Sequence, residues 1–119
     1  MGTDLSAVSA STLTSQVTAT QLVFATAPAG SVSGAVLATQ PIVEARDANG
    51  VVDTDFTETI TLTEASAGTL SGDADIAASS GVATFTDIAY TATADAEDFE
   101  LTAAATGVPS ATASPVTSD

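Results

Sequence analysis

The stretch that decides the fold runs Gln40-Pro41-Ile42-Val43-Glu44-Ala45-Arg46-Asp47-Ala48-Asn49-Gly50. Val43 and Ala45 fall on one parity and Glu44 and Arg46 on the other, which is the period-2 signature of a half-buried strand. Asp47-Ala48-Asn49-Gly50 ends that strand, and Asn-Gly is the strongest two-residue hairpin signal a sequence offers. Upstream, Leu22 and Phe24 alternate with polar or small neighbours until Pro28-Ala29-Gly30, and Ala35 to Thr39 gives a brief apolar piece. Downstream, Thr59-Ile60-Thr61-Leu62-Thr63 places Ile60 and Leu62 inward. Gly68 to Gly72 reads as a turn around Leu70, and Asp73 to Ala78 as a weak strand. Gly81 leads into a strand with Ala83 and Phe85 inward. Ile88 and Tyr90 lie on the opposite parity from Phe85, so a bulge or bend is expected near Thr86-Asp87. Phe99, Leu101, Ala103 and Ala105 alternate with Glu100 and Thr102 until Gly107, and Ser110 to Val116 reads as a last strand, with Pro115 suited to an edge or end. About seven short strands and no amphipathic helix make this an all-β sandwich. Residues 1–19, with scattered Leu5, Val8, Leu13 and Val17, read as an extended leader or linker, and residues 20–119 as the sandwich.

Composition removes most chemistry. The 119 residues carry 15 carboxylates and one cation, Arg46, for a net charge of −14, with no His, Cys, Lys or Trp. No Ser-His-Asp or Cys-His centre, thiolate nucleophile or ordinary zinc site can be assembled. A single Arg cannot neutralise a run of phosphates, so nucleic acid is excluded as a partner, and anionic membrane surfaces are disfavoured for the same reason. No apolar stretch approaches the roughly 18–20 residues of a membrane span. No basic segment precedes an apolar run at the N-terminus, so no secretory signal is expected. Ala, Thr and Ser together supply 59 residues, and here Ala is interleaved with strand-favouring Thr and Val. A chain of this size fits one domain and folds without disulfides, and the absence of Cys leaves the redox compartment open.

The densest acidic cluster is Asp47, Asn49, Asp53 and Asp55, with Glu58 after it. Counting Asp47 as position 1 puts Asn49, Asp53, Asp55 and Glu58 at 3, 7, 9 and 12, as in an EF-hand loop. Val52 stands at position 6, where the sharp turn needs Gly, and the flanks are strands. Two readings remain open: a looser calcium site on Asp47, Asn49, Asp53 and Asp55, or a solvated polar turn. Asp73 and Asp75, after Ser71-Gly72, form a second oxygen cluster. Asp95, Glu97, Asp98 and Glu100 form a third, read as a solvated loop and strand face. Paired carboxylates can hydrolyse glycosides, but that chemistry needs a cleft that raises one pKa and usually aromatic rings to hold sugar. One Tyr, four Phe and no Trp speak against a hydrolase, and small-molecule ligands are not expected. Arg46 reads as the partner in a surface ion pair with Glu44 or Asp47, and Tyr90 as a half-buried sheet residue.

Taken together, Leu22-Val23-Phe24, the stretch from Gln40 to Gly50, Thr59-Ile60-Thr61-Leu62, Gly81-Val82-Ala83-Thr84-Phe85-Thr86-Asp87-Ile88 and Phe99-Glu100-Leu101-Thr102-Ala103 resemble an immunoglobulin-like repeat of large bacterial or archaeal surface proteins and adhesins, with the invasin/intimin type the nearest named relative. The resemblance covers about residues 20–116. It implies an immunoglobulin-like β-sandwich of about seven antiparallel strands without catalytic residues, arrayed in tandem to extend and stiffen a surface protein. The family pattern places Tyr where this chain has Phe99, so no hydroxyl is expected to tie that corner to backbone. The expectation is an extracellular or cell-surface extender or adhesin module, needing no cofactor, with calcium as an optional addition. Its partners would be neighbouring repeats or identical subunits. The alternative is a self-assembling filament or surface-layer subunit that uses residues 5–19 as a donated β-strand.

Overall fold

The computed structural model describes residues 16–119, so most of the expected leader lies outside the described residues. Eleven strands and no helix make up the rest: β1 (Gln21–Thr26), β2 (Ile42–Arg46), β3 (Thr59–Thr63), β4 (Thr69–Ser71), β5 (Asp75–Ala77), β6 (Val82–Thr84), β7 (Ala89–Thr91), β8 (Glu97–Phe99), β9 (Thr102–Ala105), β10 (Val108–Thr112) and β11 (Val116–Ser118). One sheet has the order β1-β2-β6 and the other β10-β9-β3-β5, with two shorter pairs, β4-β7 and β11-β8. All strand pairings are antiparallel. The result is an all-β, immunoglobulin-like sandwich.

Alternation builds the core. Val43 and Ala45 from β2, Ile60 and Leu62 from β3, and Ala83 from β6 are buried, while the residues between them are exposed or half-buried. Fully burying a side chain such as Val43, Ile60 or Leu101 stabilises the fold by about 1.5–3 kcal/mol.

The strands exceed the expected seven because long strands break where they change partners. Phe99, Leu101 and Ala103 keep one alternation and are all buried. Phe99 nevertheless belongs to β8, which pairs with β11, and Ala103 to β9, which pairs with β3 and β10. The expected last strand splits likewise into β10 and β11 around Pro115, which has no N–H for a ladder. Gly68 to Gly72 is not a turn around Leu70. Thr69–Ser71 is strand β4, with Leu70 opposite Tyr90. The apolar piece 35–39 makes only isolated bridges, at Val36 with Ala89 and at Thr39 with Ala29.

The bend at 86–87 separates β6, paired with β2, from β7, paired with β4. Both sides stay buried, at Phe85 and at Ile88 and Tyr90. Gln40 stitches the break: its amide nitrogen donates to the carbonyls of Leu37 (2.9 Å) and Ile88 (3.0 Å), and its oxygen accepts from the Ile88 N–H at 2.8 Å.

The chain enters at one pole and leaves at the other. At the entry pole, the Ala19 N–H reaches Asp53 and the Thr20 N–H donates to the Arg46 carbonyl at 2.9 Å. At the exit pole, β11 lies between β8 and Ser31, which it meets in parallel. There Asp119 N donates to the Ser31 carbonyl (3.0 Å) and Ser33 N to the Asp119 carbonyl (2.9 Å). The Ser31 and Ser118 hydroxyls are buried and bonded to each other at 3.1 Å.

Candidate functional site

At the entry pole, the Asn-Gly signal produces a reversal of a different kind from a two-residue hairpin. Gly50 N donates to the Asp47 carbonyl (3.0 Å) and Asp47 N to the Val51 carbonyl (2.9 Å). Of the loop residues only Gly50 has positive φ, at 86°. That is a three-residue loop whose last position needs the left-handed conformation Gly supplies most easily.

Of the carboxylates expected as calcium ligands, Asp47 and Asp53 are engaged with backbone, and Asp55 takes part only through its own N–H. Asp47 Oδ1 accepts from the N–H groups of Asn49 and Val51, both at 2.9 Å, and so holds its own turn. Asp53 is buried; its Oδ2 accepts from Ala19 N–H and its Oδ1 from Asp55 N–H, each at 3.0 Å. Among the described residues, no group of three or more His, Cys, Asp or Glu converges as a metal would require. In the second cluster, Asp87 Oδ1 accepts from Asp73 N–H (2.9 Å), and Asp75 Oδ1 from the Thr61 hydroxyl (2.8 Å). Arg46 pairs with Glu44, its Nε donating to Glu44 Oε1 at 2.8 Å, as expected of a surface pair.

The most structured polar group is at the exit pole, in the third acidic run. Tyr90 is fully buried, not half-buried, because β7 turns it into the core beyond the 85–88 break. Its ring stacks on Phe99 with centroids 4.0 Å apart and planes 13° apart. Its hydroxyl donates to Glu97, contacts the Ser66 hydroxyl, and accepts from the Gly68 N–H at 3.1 Å. A side chain at Gly68 would run into that hydroxyl. Phe99 thus brings no hydroxyl, as expected, but its stacked neighbour does, and backbone is tied to the aromatic pair after all. Glu97 also accepts from Thr93, through N–H (3.3 Å) and hydroxyl (2.5 Å). Sequence reading missed this centre because Tyr90, Ser66 and Glu97 belong to three separate segments: β7, the β3–β4 connection and β8.

Burial, then the hydrogen bond to Glu97, push the Tyr90 hydroxyl above its ordinary pKa, so it is neutral near pH 7 and no nucleophile. Hydrogen bonds from Thr93 and then Tyr90 hold the Glu97 carboxyl below its ordinary value. A general acid needs the opposite shift. Every buried side-chain nitrogen or oxygen among the described residues has a partner. Two surface grooves remain. One, of 450 Å³, lies between Ser66, Asp98, Phe99, Glu100 and Pro115. The other, of 330 Å³, lies between β1 and the end of β10.

No protein-family description matches the chain, and no curated protein matches it. Among solved structures, the chain is similar to part of a glycosyl hydrolase family 2 member from Bacteroides cellulosilyticus, with a TM-score of 0.67 and 13% identity. That likeness covers 92% of this chain and 15% of the other. It is also similar to part of a Parabacteroides merdae β-glucuronidase, with a TM-score of 0.56 and 18% identity, over 91% of this chain and 13% of the other. At such identities the likeness concerns fold alone, and the chain spans about a seventh of those enzymes' length.

Proposed function

We propose that the chain is a non-catalytic structural module, an extender or accessory immunoglobulin-like domain of a longer extracellular or cell-surface protein, of the kind found in adhesin-type proteins. The observation that carries this reading is the path of the backbone: entry beside Asp53 at one pole, exit beside Ser31 at the other, and a pinned strand at the exit. A module so arranged transmits tension along its length. The pair Tyr90–Glu97 supports the reading, because its polar groups satisfy one another. The acidic surface keeps neighbouring modules soluble in media where counter-ions screen repulsion.

Pulling tandem copies from residue 19 to residue 119 tests this. Each copy should open in one step and release roughly 330–360 Å of contour, less its folded length. Gradual extension without discrete steps overturns a load-bearing role. Hydrolysis of chromogenic glycosides that vanishes on substituting a single carboxylate overturns the non-catalytic reading.

A further inference from the structure

The charge of this molecule is distributed unevenly. Fifteen carboxylates are present, yet no charged residue stands between Leu5 and Val43, or between Leu101 and Ser118. Strands β1 and β10 both lie within these neutral stretches, each at the end of its sheet. They flank the 330 Å³ groove lined by Leu22, Val23, Phe24, Ala27 and Ala111–Ser114. Among the described residues, no backbone hydrogen bond joins the two strands, so their outward edges are unpaired. The opposite edge is guarded: β5 carries exposed Asp75, hydrogen-bonded to Thr61. Edge strands in soluble proteins are ordinarily blunted by charge, Pro or bulges; the β1–β10 seam carries Pro109 and a register break in each strand but no charge.

We infer that this seam accepts an extended, uncharged segment by β-strand addition, and that the occupant is residues 5–15 of a second copy of this chain. Those residues carry Leu5, Val8 and Leu13 among Ser, Thr and Ala, with no charge, Gly or Pro. The lack of charge, Gly and Pro leaves them free to lie extended along a neutral edge. Length suffices, since covering Leu22–Ala27 takes about 20 Å of strand. The segment's own domain is disfavoured as acceptor. Ala19 and Thr20 are tied to Asp53 and Arg46 in line with β1. Folding back would therefore need a tight reversal within Thr14-Ser15-Gln16-Val17-Thr18, which has no Gly, Pro, Asn or Asp to make one. The contact is neutral while the copies repel each other at −14 apiece, so added salt strengthens association.

Light scattering on the full chain, across concentration and salt, tests the inference beside Leu13→Asp and Ala111→Asp. The expected result is a mass that rises with concentration and with salt for the native chain, and a monomer for either variant with melting unchanged. Leu13→Asp changes no residue of the sandwich core and keeps the test valid should Ala111→Asp not fold. A short bis-maleimide should join Leu13→Cys chains to Ala111→Cys chains in a mixture, the native chain having no Cys. A monomer under every condition overturns the inference, as does native-like association of Leu13→Asp. In a Leu13→Cys/Ala111→Cys double variant, a cross-link formed only within one chain overturns the second copy as occupant. None of these outcomes bears on the pulling experiment, so the module reading and this one fail separately.

Discussion

The two poles of the sandwich solve the same problem with different materials. At the entry pole, carboxylates accept from nearby backbone: Asp47 from Asn49 and Val51, Asp53 from Asp55 and Ala19. At the exit pole, a buried ring pair carries a hydroxyl that gathers Glu97 of β8 with Ser66 and Gly68 of the β3–β4 connection, and a buried serine pair locks the last strand. Three of the four entry-pole carboxylate contacts join residues two to four positions apart, whereas those named at the exit pole join residues 7 to 87 positions apart. Acidic residues in this chain therefore serve as acceptors that shape turns at one end and as part of a core network at the other.

The sharpest way to break the contrast is Phe99→Ala. It removes a fully buried ring and its stack on Tyr90, and should cost about 3–5 kcal/mol in urea unfolding. Tyr90→Phe keeps the stack and removes only the hydroxyl, and should cost about 1–3 kcal/mol, because Glu97 and the Gly68 N–H lose a partner.

The same pair sets the pH response. Glu97 lies below its ordinary value of 4.5, so its contribution is present above that pH and is lost as pH falls through the lower, folded value. Tyr90 lies above its ordinary 10.0, so its contribution is present below that pH and is lost as pH rises through the folded value. Melting curves of Glu97→Gln should show a weaker acid loss than the native chain, and those of Tyr90→Phe a weaker alkaline loss.

At the entry pole, Asp53→Asn leaves one acceptor for two backbone N–H groups and should cost about 1 kcal/mol. Calcium or chelator should leave the melting point of the native chain unchanged, since the Asp47 and Asp53 oxygens already hold the turn. A rise on adding calcium would redefine that pole as a metal site. The smallest effect is expected for Glu44→Gln, which removes a partly exposed ion pair with Arg46 and should cost under about 1 kcal/mol.

Legibility follows the same division. Alternation identified the inward residues of β2, β3, β6 and the β8–β9 line, because a strand's period is local. The bend between Phe85 and Ile88 was visible as a parity change. Partner switching was not, since nothing in Phe99-Glu100-Leu101 marks where one ladder ends and another begins. Nor was strand β4, whose three residues hold together only because β7 runs beside them. The acceptor role of the Asp53 carboxylate was not visible either, because it depends on Ala19, 34 residues away. Tyr90 read as ordinary because its stacking partner and hydroxyl partners lie in separate segments.

The Ser31–Ser118 contact has a consequence for how the chain is made. Its two residues are 87 positions apart, so the exit pole cannot close until the last strand has been synthesised. Such long-range closure slows folding. An emerging chain would hold the Ser31–Ser33 edge unpaired until β11 follows, and β11 would act as the latch. Removing residues 116–119 should therefore leave a chain that collapses but refolds without a sharp, cooperative transition.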